Sequence, residues 1–274
     1  MDQINHIVYI SDLDLYDYFP DYKCESVSAL DSRSAVYIGA GIAAQNKEAV
    51  LVLLKSNNAS RSAFSGMTEA YYRNLPIILV TVGRELDYSN ELNDVVNSHY
   101  VVSSLKEIED ITELELPAHI ELEVREKAND IKTSSIFEHL KYAASVDDYL
   151  YISHNLSFDA EGFNCKVVEG GTNNCLEGAL SNVVGASLAK KRRRYIGVVT
   201  EGEFLHDMNA LGNINVNDSL VYFVLCDHNN EMICDYAKSL GFYILCLDVS
   251  EITKEDIQAV LDNKKKTLIV VYGE

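Results

Sequence analysis

Ile77-Ile78-Leu79-Val80 and, near the other end of the chain, Leu268-Ile269-Val270-Val271 are apolar at every position. A strand wetted on one face alternates apolar and polar residues. A run that is apolar on both faces belongs in a parallel sheet covered by helices on both sides. Working outward from these two runs, segments of single-strand length recur at 6–11, 49–55, 75–82, 149–153, 194–200, 220–226, 242–247 and 267–272. Helical patterns fill the intervals at 34–45, 59–73, 136–144, 177–190, 231–240 and 254–263. The alternation predicts an α/β class, with mainly parallel sheets flanked by helices and right-handed crossovers. The stretch 106–132 is acidic, poor in long apolar runs and contains Pro117. It reads as a partly helical connection, with a boundary near residue 125 that divides the chain into domains 1–125 and 126–274.

A chain of 274 residues that is 47% hydrophobic can bury two cores of ordinary size. No stretch approaches the roughly 18 consecutive apolar residues of a membrane span. The start, Met1-Asp2-Gln3-Ile4-Asn5, has neither the basic nor the apolar part of a signal peptide, so a cytoplasmic protein is expected. Forty-two acidic against 23 basic residues give a formal charge of −19, a field that repels phosphate backbones and argues against nucleic acid as a partner. The one basic run, Lys190 to Arg194, reads as a solvated helix end facing the negative pole of the dipole, with nucleic-acid or lipid contact as the lesser alternative. The six cysteines (Cys24, Cys165, Cys175, Cys226, Cys234, Cys246) form no CxxC pair and read as reduced thiols. Cys226, His228 and Cys234 lie close enough in sequence to suggest zinc, but no second spaced pair completes four ligands.

The chemistry-bearing residues cluster where strands give way to helices. The run 50–55 ends in Ser56-Asn57-Asn58, either a ligand-binding turn of an open sheet or an ordinary turn with Ser56 or Asn58 as helix cap. Glu169-Gly170-Gly171-Thr172-Asn173-Asn174 precedes the helix that starts around Leu176-Glu177-Gly178, where free backbone N–H groups favour an anion. The run 195–200 delivers Glu201-Gly202-Glu203, and 220–226 delivers Asp227-His228. Glu201 and Asp227, one βαβ step apart, could hold Mg²⁺ bridging a diphosphate; the alternative is a pair of solvated carboxylates. His154, after the run 149–153, could reach a substrate or lie in a surface loop. His206 and Asp207 are adjacent on a helix, point in different directions, and read as structural.

These segments, in this order, resemble the thiamine-diphosphate enzymes of the acetolactate synthase and 2-oxoacid decarboxylase superfamily. The motifs look most like the menaquinone-pathway synthase that joins 2-oxoglutarate to isochorismate. Asp31-Ser32-Arg33-Ser34-Ala35 resembles that family's Asp-Glu-Arg segment, and 64–81, with Glu69-Ala70-Tyr71-Tyr72 and Leu75-Pro76-Ile77, its pyrimidine-binding helix and strand. Leu176-Glu177-Gly178-Ala179-Leu180-Ser181 resembles the start of the diphosphate-binding domain, and 201–211 the metal motif. The family's middle domain has no room here.

The resemblance implies two thiamine-diphosphate-binding-fold domains and a decarboxylase or carboligase acting on a small 2-oxo acid. It implies thiamine diphosphate and Mg²⁺ as cofactors. It also implies a homodimer or homotetramer, because the cofactor lies between the pyrimidine domain of one subunit and the diphosphate domain of another. Ser56, Asn57 and Asn58 would line the pyrimidine side. Gly171, Leu176, Gly178, Gly202 and Glu203 would hold the cofactor, and Glu201 and Asp227 the metal. Ser32 falls at the family's catalytic position; His154 is a catalytic candidate only because it ends a strand that lines the cleft. The departures are specific. Ser32 stands where the family's activating glutamate would be, Thr200-Glu201 where it has Gly-Asp, and Cys226-Asp227, or Asp227-His228 if the loop differs by one residue, where it has paired asparagines. Serine cannot hold the charge that favours the cofactor's imino tautomer, and acid/base assistance of that kind is typically worth about 10²–10⁴-fold. The same motifs therefore also fit a catalytically degenerate protein that keeps the fold as a binding or partner subunit.

Overall fold

The computed structural model describes residues 4–11, 13–19, 23–55, 59–83, 92–104, 107, 114–123, 134–170, 177–189, 192–212 and 218–273. The chain forms two compact units, Met1–Ala128 and Asn129–Glu274.

In the first unit six strands, β1 (His6–Ile10), β2 (Glu25–Ala29), β3 (Val50–Lys55), β4 (Ile77–Gly83), β5 (Ser98–Val102) and β6 (Ala118–Glu123), form one sheet. Its order is β2-β1-β3-β4-β6-β5 and every pairing is parallel. The run that is apolar on both faces becomes β4, buried along its whole length between β3 and β6. Helix α1 (Leu15–Tyr18) is a single turn, while α2 (Ser32–Asn46) and α3 (Ala59–Tyr72) pack on one another. Asp31 starts α2 by accepting from the Ser34 amide at 2.8 Å and the Ser34 hydroxyl at 2.6 Å. Gly66 permits the close crossing of α2 and α3, because a Cβ there would lie 2.7 Å from Val36 Cγ1.

The stretch read from sequence as an acidic connection contains β6, an interior strand of this sheet. Its residues alternate Ala118, Ile120 and Leu122 with His119, Glu121 and Glu123, so polar groups on one face break the apolar run that marks the other interior strands.

The second unit repeats the plan with β7 (Tyr149–Ile152), β8 (Lys166–Glu169), β9 (Tyr195–Thr200), β10 (Leu220–Cys226), β11 (Tyr243–Asp248) and β12 (Thr267–Tyr272). Its order is β11-β12-β10-β9-β7-β8, again all parallel. Numbered within its own unit and read from the matching edge, each sheet has the order 2-1-3-4-6-5. The helices are α4 (Ser134–Ala143), α5 (Ala179–Ala189), α6 (Glu201–Asp207), α7 (Glu231–Ser239) and α8 (Lys254–Asp262). Helices α4 and α8 pack together, and α5 lies on β9.

The basic run is not simply a solvated helix end. Arg194, 3% exposed, makes a two-pronged ion pair with fully buried Asp148: Nε to Oδ1 at 2.8 Å and Nη2 to Oδ2 at 2.5 Å. Asp148 also accepts from the Ser145 amide, and Arg194 donates to the Ala143 carbonyl. This pair ties the entries of β7 and β9 together at the amino edge of the sheet. Among the described residues, no helix is long and apolar enough to cross a membrane.

Candidate functional site

In an open parallel sheet, ligands settle at the carboxyl edge where neighbouring strands send their connections in opposite directions. In the second unit that point lies between β7, which leads to the edge strand β8, and β9, which leads towards β10. Ser153, His154 and Asn155 follow β7 there; Thr200 ends β9 and Glu201 follows it.

The centre of this edge is Glu203, a carboxylate only 2% exposed. Thr200 caps α6, its hydroxyl accepting from the Glu203 amide at 3.3 Å, and Glu203 reaches back to the Thr200 amide at 2.9 Å, a reciprocal capping box. Glu203 Oε2 also accepts from the Thr200 hydroxyl at 3.1 Å. Its Oε1 accepts from the Ser153 hydroxyl at 2.5 Å and from Asn155 Nδ2 at 3.0 Å. A carboxylate offers about four acceptor positions. Here protein donors take them all, so Glu203 ties the end of β7 to the end of β9. His154 sits between its two partners, half-buried.

Glu201 is the first residue of α6, and its Oε1 accepts from Asn230 Nδ2. Asn230 in turn caps α7, its Oδ1 accepting from the Ile233 amide at 3.2 Å. The buried Cys226 thiol lies against Glu201; burial first, and that carboxylate's charge second, push its pKa up, so it stays protonated. Asp227 is exposed beyond the end of β10. Asp207 accepts from the Ser181 amide at 2.6 Å and hydroxyl at 2.7 Å, pinning the start of α5 to α6. Gly178, at φ +87, leads into α5 and its carbonyl accepts from Asn182 Nδ2 at 2.7 Å. Gly202 lies inside the first turn of α6.

In the first unit, Ser32 is the first residue of α2, just past the edge strand β2, and is 2% exposed. Ser56, Asn57, Asn58, Gly171 and Leu176 lie outside the described residues.

The charge of the second unit's edge bears on what it can hold. At or just past the strand ends stand Glu169, Glu201, Glu203, Asp227 and Asp248. Within three residues of these positions in sequence, Lys166, at the start of β8, is the one lysine or arginine among the described residues. A diphosphate brought here would meet the like charge of these carboxylates.

Two clusters went unread in the sequence. His99, His119 and Glu121 meet on one face of the first sheet, within 4.8 Å of one another. Burial and the neighbouring His99 push the His119 imidazole down to about 3, so the ring is neutral. His119 and Glu121 stand two apart in an extended segment, and that period of two was the available signal. Cys234 Sγ lies 3.2 Å from Cys246 Sγ, which joins Cys234 to β11. The suggested Cys226–His228–Cys234 zinc group is not assembled: among the described residues, His99, His119 and Glu121 form the one group of metal-ligating type.

No family model matches the chain, and no curated protein matches it. Among solved structures it is similar to the thiamine diphosphate-dependent 4-hydroxybenzoylformate decarboxylase of Rhodococcus jostii RHA1. That alignment has 10% identity, covers 99% of this chain and 96% of that one, and has a TM-score of 0.38. It is also similar to a protein from Mycobacterium smegmatis assigned as thiamin diphosphate-dependent, at 8% identity, 98% and 96% coverage and a TM-score of 0.40. At these scores the likeness decides neither fold nor activity.

Proposed function

We propose that the chain is a thiamine-diphosphate-fold protein that has lost the carbanion chemistry of that superfamily and works as a binding or partner subunit. The observation that carries this reading is the state of the two glutamates at the metal motif. Glu201 is held by Asn230, and Glu203 is saturated by Ser153, Asn155 and Thr200. Both carboxylates serve the fold at the place where the resemblance calls for metal and diphosphate ligands. The side chains present therefore do not fit an Mg²⁺–diphosphate without rearrangement. Ser32, a buried serine, supplies no carboxylate to the first unit's edge. The superfamily itself is supported by the motif order along the chain. The partner would be a second copy of the chain or a related subunit, completing the cleft as the resemblance implies.

A second reading is an active decarboxylase or carboligase that acts on a small 2-oxo acid with thiamine diphosphate and Mg²⁺. It is favoured by the convergence of His154, Glu201 and Glu203 at the strand-order switch, and by Asp227, an exposed hard-oxygen donor. The thiamine ring would supply the carbanion chemistry when bound; Ser153 and Asn155 would orient the loop that carries His154. Release of CO₂ from a panel of 2-oxo acids, with both cofactors present, separates the two. No release above the protein-free blank is expected. Turnover on any member, lost in Asp227→Ala, would establish the enzyme instead.

A further inference from the structure

We propose that His99, His119 and Glu121 form a binding site for a divalent d-block cation, Zn²⁺ by the chemistry of its donors, on the first unit's sheet. The site is independent of the function proposed above and lies in a different part of the fold. Its register is set by the backbone: His99 on β5 pairs with His119 on β6, and Glu121 follows two residues later on the same face. Neighbouring β4 places Thr81 opposite Glu121. The ligand-bearing positions are thus fixed by parallel pairing rather than by a loop.

The distances suit a metal. His99 Nε2 is 2.8 Å from Glu121 Oε1, and His119 Nδ1 is 3.9 Å from the same oxygen. Ligand atoms about 2.0–2.1 Å from a tetrahedral zinc stand roughly 3.3 Å apart, so each of the two nitrogen–oxygen separations need change by only roughly half an ångström, and the two imidazole nitrogens lie within 4.8 Å of each other. The remaining nitrogen of His119, Nε2, lies 2.9 Å from the Thr81 hydroxyl. Such an outer partner fixes the tautomer and aims the other nitrogen at the metal. That other nitrogen, Nδ1, is buried and has no hydrogen-bond partner, and Glu121 Oε1 lies 3.9 Å from it, with the His99 ring stacked at a centroid distance of 5.2 Å. Buried polar atoms nearly always have a partner; an ion at this point would give His119 one.

Two imidazoles and one carboxylate select zinc, or a neighbour in its row, over magnesium or calcium, which take oxygen shells. His119 and Glu121 are each 2% exposed, while His99 is half-buried and opens the site to entry. Three protein ligands leave a fourth position for water or a small anion.

The test uses the full chain stripped with a chelator and titrated with Zn²⁺ against a chromophoric competitor, with Co²⁺ as a spectroscopic substitute. One equivalent per chain is expected, bound more tightly than micromolar. Co²⁺ should give the visible bands of a four-coordinate nitrogen–oxygen site and no thiolate charge-transfer band. His99→Ala and Glu121→Gln should each weaken binding by on the order of 100-fold or more, and Thr81→Val by about 10-fold, through loss of the outer partner. His99 is the least buried of the three, so its variant keeps the fold, which circular dichroism checks. Failure to take up one equivalent would overturn the proposal. So would uptake that ignores His99→Ala, or a thiolate band that vanishes in Cys234→Ser/Cys246→Ser and marks a cysteine site instead.

Discussion

Replacing Glu203 with alanine removes both oxygens of a carboxylate that serves four donors at 2.5–3.1 Å. The Thr200 amide, the Ser153 hydroxyl and the Asn155 amide are then left facing a cavity. An unsatisfied buried polar group costs about 1–3 kcal/mol, and loss of a capping interaction about 1 kcal/mol. Thr200 is only partly buried and Asn155 is exposed, so both recover solvation and the total should be about 4 kcal/mol. Glu203→Gln keeps the shape and lets the Ser153 hydroxyl and the Asn155 amide reverse their roles, and should cost about 1–2 kcal/mol for the lost charge assistance. The chain has no tryptophan, so urea unfolding is best followed by far-ultraviolet circular dichroism and tyrosine emission. At roughly 2–4 °C per kcal/mol for a chain of this size, the alanine variant should melt about 12 °C lower. The second unit carries its own control. Thr253 and Asp256 form the same capping box at the start of α8, but exposed. Asp256→Ala should therefore cost far less than Glu203→Ala. Equal costs for the two, or a Glu203→Ala cost under about 1 kcal/mol, would refute the idea that a buried network joins the ends of β7 and β9.

Two further perturbations follow from the same structure. Arg194→Met leaves Asp148 charged, buried and unpaired, and should destabilise the second unit by about 3–5 kcal/mol; adding Asp148→Leu should restore most of the loss, as measured by denaturant midpoints. Burial raises the Cys226 thiol and, with Cys246 beside it, pushes Cys234 up to about 12 from 9.0. Unfolded thiols ionise first, so their contribution to stability is complete below pH 9 and falls as pH rises towards 12. Melting temperatures across that range should decline less in Cys226→Ser/Cys234→Ser.

The interior of both sheets was legible because β3, β4, β9, β10 and β12 are buried on both faces and carry no polar alternation to hide them. The edges were not. Glu25–Ala29 is exposed at four of its five positions and Lys166–Glu169 has no fully buried residue, so neither shows an apolar run. Strand β6 was missed for the opposite reason: it is interior, but His119 and Glu121 take up one of its faces. The common strand order of the two units left no mark, since topology is set by which edges pair and no sequence repeat accompanies it. At the site, the strand-end placement of His154, Glu201, Glu203 and Asp227 was readable from the end of each run. The role of Glu203 was not, because its partners Ser153 and Asn155 lie 50 and 48 residues away in sequence. The Glu201–Asn230 bond, spanning 29 residues, was hidden in the same way.

The most direct test of the central claim is calorimetric titration of the purified chain with thiamine diphosphate in the presence of Mg²⁺. With Glu201 and Glu203 held by the fold, no saturable heat is expected up to millimolar cofactor. Micromolar binding that disappears with a chelator, and weakens in Asp227→Ala, would contradict the account and place an active cofactor site at the carboxyl edge of the second sheet.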